Sequence, residues 1–562
     1  MRRLLGLALV AVAVSAATAV NEHAPTGVHI AFGTRDDEMS VTWHTLASNP
    51  GDPTVEFHPG IIDDVSEFPD APQVSRVEGS TRAFVDGGPE RTVRFVHRVT
   101  LPNLEPGAIY SYRVGNPATK TWSRLFNFCA KRNKSQISPA KPLKLLALCD
   151  QGHRESAGVV QLVAAEVADP ATRPDALIHC GDFAYDLDTY SGRNGDRWLS
   201  DVEPVAAYVP YMTSQGNHER AYNFSHYAER FTMPGHGART GNAYYSFDVG
   251  PLHVVAFNAE AFFWPEYFDE AYMSRMYDWL VTDLRAANDD RANTPWVMVH
   301  GHRPMYCVDP KVPDMTPHAN KPEFAGVCGW EKQAVRKGVA SECEDEYAAL
   351  GCSASNARES TSTRGSSTAA RPRRAGGASL EGLRKASGES SGDFPIEKLL
   401  FDAGVDLYLA GHVHDYERYF PVYDEHVVNG TDVTLGRYVN PGATVHVTSG
   451  SGGNPEMWTD GMSGGKKHPT PRGTCSHRAP WCAFQSGFAP KRTGAGYVYD
   501  FTYSRITVHD DETLEWEQVS APSGALAGDG KKAAVGEVID RFVISAATHG
   551  PFASRGEKIA TE

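Results

Sequence analysis

Five short segments place acid, imidazole, amide and phenol side chains directly after apolar runs. They are Asp150-Gln-Gly152, Gly181-Asp-Phe-Ala-Tyr185, Gly216-Asn-His-Glu219, Val299-His-Gly-His302 and Gly411-His-Val-His414. Carboxylate, imidazole, amide and phenolate donors are the set that holds transition-metal ions. Each segment alone says little: an Asp-x-Gly is usually a turn, and an Asn-His usually a hydrogen-bonded loop. A His-x-His pair on a strand puts both rings on one face, which suits a metal but also a solvated surface pair. The order of the five segments is far more specific than any one of them. In α/β sheets ligands bind beyond the carboxyl ends of the strands, so five strand ends would bring these side chains together. Gly152, Gly181, Gly216, Gly301 and Gly411 permit the tight turns and close backbone approach that such convergence needs.

The runs before these segments read as buried strands. Leu145-Leu-Ala-Leu148, Ala176-Leu-Ile178, Val254-Val-Ala-Phe257, Trp296-Val-Met-Val299 and Val405-Asp-Leu-Tyr-Leu409 are short and mostly apolar, as in strands covered on both faces by helices. Between them, Phe268–Asn288 carries Met273, Met276, Tyr277, Leu280 and Leu284 on one stripe and predicts a helix. Alternating strands and helices predict an α/β catalytic domain. Residues 24–130 differ. Val41 and Trp43, and then Val93, Phe95, Tyr110, Tyr112 and Val114, alternate with polar neighbours, which predicts strands with one buried and one wet face. The stretch Leu101-Pro-Asn-Leu-Glu-Pro-Gly followed by Tyr110-Ser-Tyr112 resembles a fibronectin type III sandwich with its tyrosine corner.

In this order the five blocks match the signature of the purple acid phosphatases, within the calcineurin-like metallophosphoesterases. The resemblance covers roughly residues 140–440, and the sandwich and the tail fit the longer family members. It implies a multidomain chain: the all-β sandwich at 24–130, a linker at 131–142, an α/β metallophosphoesterase domain at 141–450 and a C-terminal segment at 451–550. It also implies two metals. Asp150, Asp182, Tyr185 and His414 would hold Fe(III). Asp182, Asn217, His302 and His412 would hold a divalent ion, with Asp182 bridging. A phenolate ligand normally forms only near pH ~10, so Tyr185 suits a strong Lewis acid such as a trivalent ion. Imidazole, amide and carboxylate suit zinc, iron(II) or manganese. The implied activity is acid hydrolysis of phosphate monoesters by a metal-bound hydroxide. His218 would stabilise the phosphoryl group or protonate the leaving oxygen. A phosphodiesterase or nucleotide pyrophosphatase on the same metals is the nearby alternative, and an inert binding glycoprotein the distant one.

Two departures stand out. His300 competes with His302, and the motif alignment favours His302. The stretch Cys307-Val-Asp-Pro-Lys-Val lacks the histidine pair that plant members carry, leaving His318 as a substitute or an idle loop residue. Glu417 and Arg418 read as support for the ligands or as a surface ion pair.

The 562 residues suffice for two or three domains, and a formal charge of −15 argues against nucleic acid as the main partner, while permitting small phosphorylated substrates at a cationic site. Arg2 and Arg3, the apolar run Leu4–Val14 and the small residues Ala17-Thr18-Ala19 read as a cleaved secretory signal, 1–19. No other run predicts a membrane span. Export to the cell exterior, or to a vacuolar or lysosomal lumen, permits disulfides among the nine cysteines. Cys475 can pair with Cys482. Cys307, Cys328, Cys343 and Cys352 can form two bridges, and Cys149 and Cys180 read as buried free thiols. Sequons at Asn133, Asn223 and Asn429 are compatible with glycosylation. Residues 353–392, rich in Ser, Ala, Gly and Arg, lack core-forming side chains and read as a disordered insertion.

Overall fold

The computed structural model describes residues 21–555 except 69–72, 237–241, 307–334, 337–393, 429–431, 435, 456–474, 476–479, 487, 491–496, 500 and 522–535. The proposed signal, the 353–392 insertion, Cys307, His318, Cys328, Cys343, Cys352 and Asn429 lie outside the described residues. No helix among the described residues is long and apolar enough to cross a membrane.

The first domain is a sandwich of two antiparallel sheets. One orders the strands Thr26–Phe32, Met39–Thr45, Val93–Leu101 and Ser80–Val85, and the other centres on Thr54–Pro59 and Ile109–Asn116. Val28, Ile30, Phe32, Val41, Val55, Tyr112, Val114 and Phe128 are buried in its core. The Tyr110 hydroxyl accepts a 3.0 Å hydrogen bond from the Glu105 amide, which forms the tyrosine corner. The expected wet face is corrected in part. Met39–Thr45 is buried along its whole length. In Val93–Leu101 the side chains buried at the start are Arg94 and Val96, while Val93 is 39% exposed. The reason is tertiary: the outer face of this sheet packs on the next domain. The Val28 amide donates to Glu203 Oε2 at 3.1 Å and Thr42 bonds Thr232 at 2.8 Å, while from the other sheet the Tyr112 hydroxyl donates to the Ala207 carbonyl at 2.7 Å.

The second domain holds two large mixed sheets. In the eight-stranded sheet, Tyr211–Ser214, Ala176–Cys180 and Leu143–Leu148 run parallel, followed by the antiparallel strands Phe501–Val508, Thr513–Ala521 and Val538–Ser545. Strands from the tail of the chain therefore complete the sheet that begins at Leu143. In the seven-stranded sheet, Leu252–Ala256, Trp296–His300, Leu407–Ala410 and Val445–Ser449 run parallel. These parallel strands are almost wholly buried, as their unbroken apolar sequences require. The helix Glu270–Asp289 buries Met273, Met276, Tyr277, Leu280 and Leu284, and Asp269 caps it by accepting from the Tyr272 amide at 2.7 Å.

Register does the positioning. Leu148 pairs with His179, Cys180 with Ser214, and His300 with Leu409, so strands in each sheet end nearly level. The five donor segments begin within two residues of those ends. Cys149 and Cys180, read as free thiols, are joined as a disulfide with Cα atoms 4.9 Å apart. The parallel register that sets their backbones opposite each other is invisible in a sequence read strand by strand. Cys475 pairs with Cys482 as expected, and Cys129 is the free cysteine among the described residues.

Candidate metal centre

The donors form a cup between the two sheets. Its floor is buried Asp150, Asp182 and His302. Its rim is Tyr185, Asn217, His218, His412 and His414, all half-buried. The backbone is bent to make it. Asp150, Asp182, Tyr185 and His412 have φ between 48° and 68°, a left-handed region that costs a non-glycine residue about 1–2 kcal/mol each. Crowding is tight at Gly411, where a Cβ would stand 2.3 Å from Asp150 Oδ2, so only glycine lets this loop pass the carboxylate.

Two groups of donors can be distinguished. In the first, Tyr185 Oη lies 3.2 Å from Asp150 Oδ1 and 2.9 Å from His414 Nε2. In the second, Asn217 Oδ1 lies 3.0 Å from both His302 Nε2 and His412 Nδ1, and Asp182 Oδ2 lies 3.1 Å from His302 Nε2. One ligand atom from each of Asp182, His302 and His412 falls within 4.8 Å of the others, a spacing that one ion can span. The seven residues expected as ligands are thus brought together, with His218 beside them: its ring is 4.3 Å from that of Tyr185 and its amide donates to Asp182 Oδ1 at 2.9 Å.

Tautomers follow from partners. His302 Nδ1 donates to the Cys180 carbonyl at 2.8 Å, which leaves Nε2 facing the cup. Arg303 can only donate, so His412 Nε2, 2.9 Å from Arg303 Nη1, is an acceptor. The ring proton of His412 then sits on Nδ1, toward Asn217.

The electrostatics are those of carboxylates in want of a cation. Burial pushes the Asp150 carboxyl well up, with the Asp182 charge adding to it. Burial opposes ionisation of Asp182 too, but His302 and His218 hold that carboxyl well below the usual range. His302 is pushed up to about 10: burial disfavours its charge, but Asp182 and Asp150 overcome that. His412 and His414 are lowered, by burial first. Asp182 Oδ2 is buried and receives no well-formed hydrogen bond. Such a buried carboxylate oxygen, next to imidazole, amide and phenol donors and without a cation of its own, fits a metal ion that would take the place of the proton His302 gains from its acidic neighbours.

Other residues hold the ligands. Glu219, fully inside, accepts from the amides of Asp182, Phe183 and Gly216 at 2.8, 3.0 and 2.8 Å. Its position in the Gly216–Glu219 block was the available signal. His218 Nδ1 lies 2.9 Å from Asp186 Oδ1. Glu260 and Arg303 form a buried ion pair at 2.8 Å behind His412. An acid flanked by Ala259, Ala261 and Phe262 was a legible oddity in the sequence; its partner was not. His300 points away into the core, 3.2 Å from the Ser214 hydroxyl, with its pKa lowered to about 3 by burial. Glu417 and Arg418 are not a surface pair: both are buried, Arg418 is bound in two-point fashion to Asp540, and Glu417 is bonded by the Tyr419 hydroxyl.

Three stretches of the chain match known families. Residues 25–130 match the purple acid phosphatase N-terminal domain, 152–330 the calcineurin-like phosphoesterases, and 443–531 the iron/zinc purple acid phosphatase-like protein C family. Acid phosphatase type 7 of Homo sapiens is 34% identical over 497 residues, covering 88% of this chain and 88% of that protein. The chain belongs to the purple acid phosphatase family. Acid phosphatase type 7 of Danio rerio is 32% identical over 533 residues, covering 94% and 93%. The purple acid phosphatase from yellow lupin seeds superposes with a TM-score of 0.59 at 20% identity, covering 94% of this chain and 75% of that one, which establishes the shared fold. As a member of this family the chain is a phosphatase of a binuclear, metal-dependent class. Asp182, Tyr185, Asn217, His218 and His302 lie inside the matched phosphoesterase stretch, Asp150 just before it, and His412 and His414 between the matched stretches.

Proposed function

We propose that this purple acid phosphatase is exported and hydrolyses phosphate monoesters of small molecules at a mixed Fe(III)–divalent centre. Asp150, Tyr185 and His414 serve the ferric side and Asn217, His302 and His412 the divalent side, where zinc, iron(II) or manganese fits. Asp182 bridges. The observation that carries this reading is the orphaned, buried Oδ2 of Asp182, set against two separate groups of donors. Bound there, a pair of cations would supply Lewis-acid polarisation of the phosphoryl oxygens and an activated water molecule.

The chain's own residues do the rest. The Asp182 carboxylate, 3.1 Å from His302 Nε2 and bonded by the His218 amide, would offset the repulsion between two cations. The Asp182 and Asn217 loops are fixed by Glu219, so the ligand geometry exists before substrate arrives. His218 stands on the open side with Nδ1 held by Asp186, leaving Nε2 to contact a phosphoryl oxygen or protonate the leaving oxygen.

Metal analysis with a visible spectrum tests the centre. One iron and one divalent ion per chain are expected, with a phenolate-to-iron band that Tyr185→Phe abolishes while the fold persists. An active, colourless, iron-free wild type overturns the assignment. An aryl phosphate set against a bis-aryl phosphate and a nucleotide pyrophosphate tests the substrate: preference for either of the latter two moves the reading to a diesterase or pyrophosphatase.

A further inference from the structure

Tyr185 opens a loop whose backbone is left-handed at both ends. The angle φ is 48° at Tyr185 and 82° at Asp186, then 56°, 57° and 79° at Tyr190, Ser191 and Gly192. All but Gly192 carry a Cβ, so the conformation is disfavoured and must be held by its surroundings. The loop runs into the helix Arg193–Ala206, whose second residue is Asn194. Amide donors in the first turn of a helix have no partner inside it. Here they take loop carbonyls: the Asn194 amide donates to Thr189 at 3.1 Å and the Gly195 amide to Leu187 at 3.1 Å.

The Asn194 side chain reaches further back. It is 8% exposed, and its Nδ2 donates to the Ala184 carbonyl at 2.9 Å and to the Asp186 carbonyl at 3.0 Å. A carboxamide nitrogen carries two hydrogens, so both bonds form at once. The two carbonyls bracket Tyr185. One belongs to the peptide that precedes it, the other to the peptide that follows Asp186, so the left-handed turn lies between two pinned peptide planes. The Asp186 carbonyl has a second, longer donor in the Thr189 amide at 3.3 Å. From this turn the Tyr185 ring projects into the cup, with Oη 3.2 Å from Asp150 Oδ1 and 2.9 Å from His414 Nε2.

We infer that Asn194 is a positioning residue: by tying the carbonyls on either side of Tyr185 it aims the phenol at Asp150 and His414 and so sets affinity for the trivalent ion, leaving the half built on Asn217 and His302 untouched. This rests on the reading of Tyr185 as a ferric ligand. Asn194→Asp keeps the shape, and an acid in the first turn of a helix favours the fold, but an ionised carboxylate has no hydrogen to give. Asn194→Leu removes the donors without adding a charge, should the first variant fold poorly. Thr92→Val is the control. The Thr92 hydroxyl donates to the Ser191 carbonyl at 2.7 Å, so the variant loosens the far end of the same loop.

The measurement is a titration of the chelated protein at neutral pH with ferric ion buffered by nitrilotriacetate, followed by the visible band and metal analysis. Zinc dialysis of the iron-filled protein and the melting temperature of the chelated protein run beside it. In both Asn194 variants the ferric concentration for half-occupancy should rise about 10- to 100-fold, a range typical of groups that orient a ligand. At full iron occupancy the band should be displaced, because its energy follows how the phenolate meets the ion. Zinc affinity, and the iron affinity of Thr92→Val, should stay at the wild-type value. Wild-type iron affinity, or an unmoved band, in a folded Asn194 variant overturns the inference. So does an equal loss of iron and zinc, or an equal loss of iron in Thr92→Val, the marks of a merely structural role in the loop. Tyr185→Phe separates the two levels. If it keeps wild-type iron affinity and band, the ligand assignment itself fails; if it loses both while Asn194→Leu loses neither, only the positioning role fails.

Discussion

Two buried charge clusters lie in this molecule, and they are built on opposite rules. At the seam between sandwich and catalytic domain, Asp196 takes a two-point grip from Arg94 at 2.6 and 2.8 Å and a third bond from Arg230 at 2.9 Å. Spare donors go to the Ser191 and Gly192 carbonyls, and His226 joins Asp86 at 2.8 Å and accepts from Arg230. Each charge there meets its opposite. At the centre, Asp150 and Asp182 meet no arginine or lysine among the described residues, only imidazole, amide and phenol groups, and Asp182 Oδ2 is left without a well-formed hydrogen bond. A saturated cluster is a rivet; an unsaturated one is a receptor for a cation.

The contrast can be broken by removing one carboxylate from each. Asp182→Asn should reduce aryl phosphate hydrolysis to background and lower occupancy of both metals. In the chelated protein its effect on unfolding free energy should be less than half that of Asp196→Asn. Two metals and near-normal turnover in Asp182→Asn would place the bridge elsewhere. Asp196→Asn leaves two buried arginines short of their counter-charge and should cost about 3–5 kcal/mol in urea unfolding. Metal stoichiometry of the folded fraction should stay at the wild-type value. A loss of metal at unchanged stability would make the seam part of the site.

What the sequence reveals follows the same division. The ligands were legible because each sits at a strand's carboxyl end in a block with glycine, so local pattern and function coincide. Arg94 with Asp196, Arg303 with Glu260, and Cys149 with Cys180 were not, because each pairing depends on which elements pack together. The same cause explains Val93 and Phe95: alternation gives two faces, but not which one a second domain will cover. His300 and His302 were separable by motif and not by periodicity, since both lie on one face until the chain turns at Gly301.

Acid sharpens the comparison next. His29 and His97 have their pKa lowered to about 4, and His44 and His446 to about 3, in each case chiefly by burial. Above pH 6.5 such rings are neutral in both states and contribute nothing to pH dependence. As pH falls below 6.5 only the unfolded chain takes up the proton, so stability drops by roughly 1.4 kcal/mol per pH unit per ring. His253 runs the other way. Burial opposes its charge, but Asp248 and Asp283 push it up to about 9, so its contribution is complete below pH 6.5 and is lost as pH rises toward 9. His446 makes ring contacts with Tyr306 and Tyr408 but no hydrogen bond. His446→Phe should therefore flatten the acid limb of stability between pH 6 and 4 by about one ring's slope. An unchanged limb would mean that the ring is already protonated when folded.

The smallest effect should fall at the edge of the centre, where the two rules meet. Asp186 is half-exposed, and its carboxylate lies 2.9 Å from His218 Nδ1. It pairs with a histidine as Asp86 does with His226 at the seam, but it faces solvent, so it contributes little to stability. Its consequence is directional. An acceptor at Nδ1 keeps the proton there and leaves Nε2 as the atom presented to substrate; in the protonated ring it steadies the charge. Asp186→Asn retains the shape and removes the charge. The expected outcome is roughly a 10-fold fall in kcat, with both metals bound, the visible band intact and the melting temperature within error of wild type. The fall should be greatest for substrates with poor leaving groups, which need a proton, and slight for an activated aryl phosphate. Equal losses on both substrates would assign His218 to binding the phosphoryl group rather than to proton transfer.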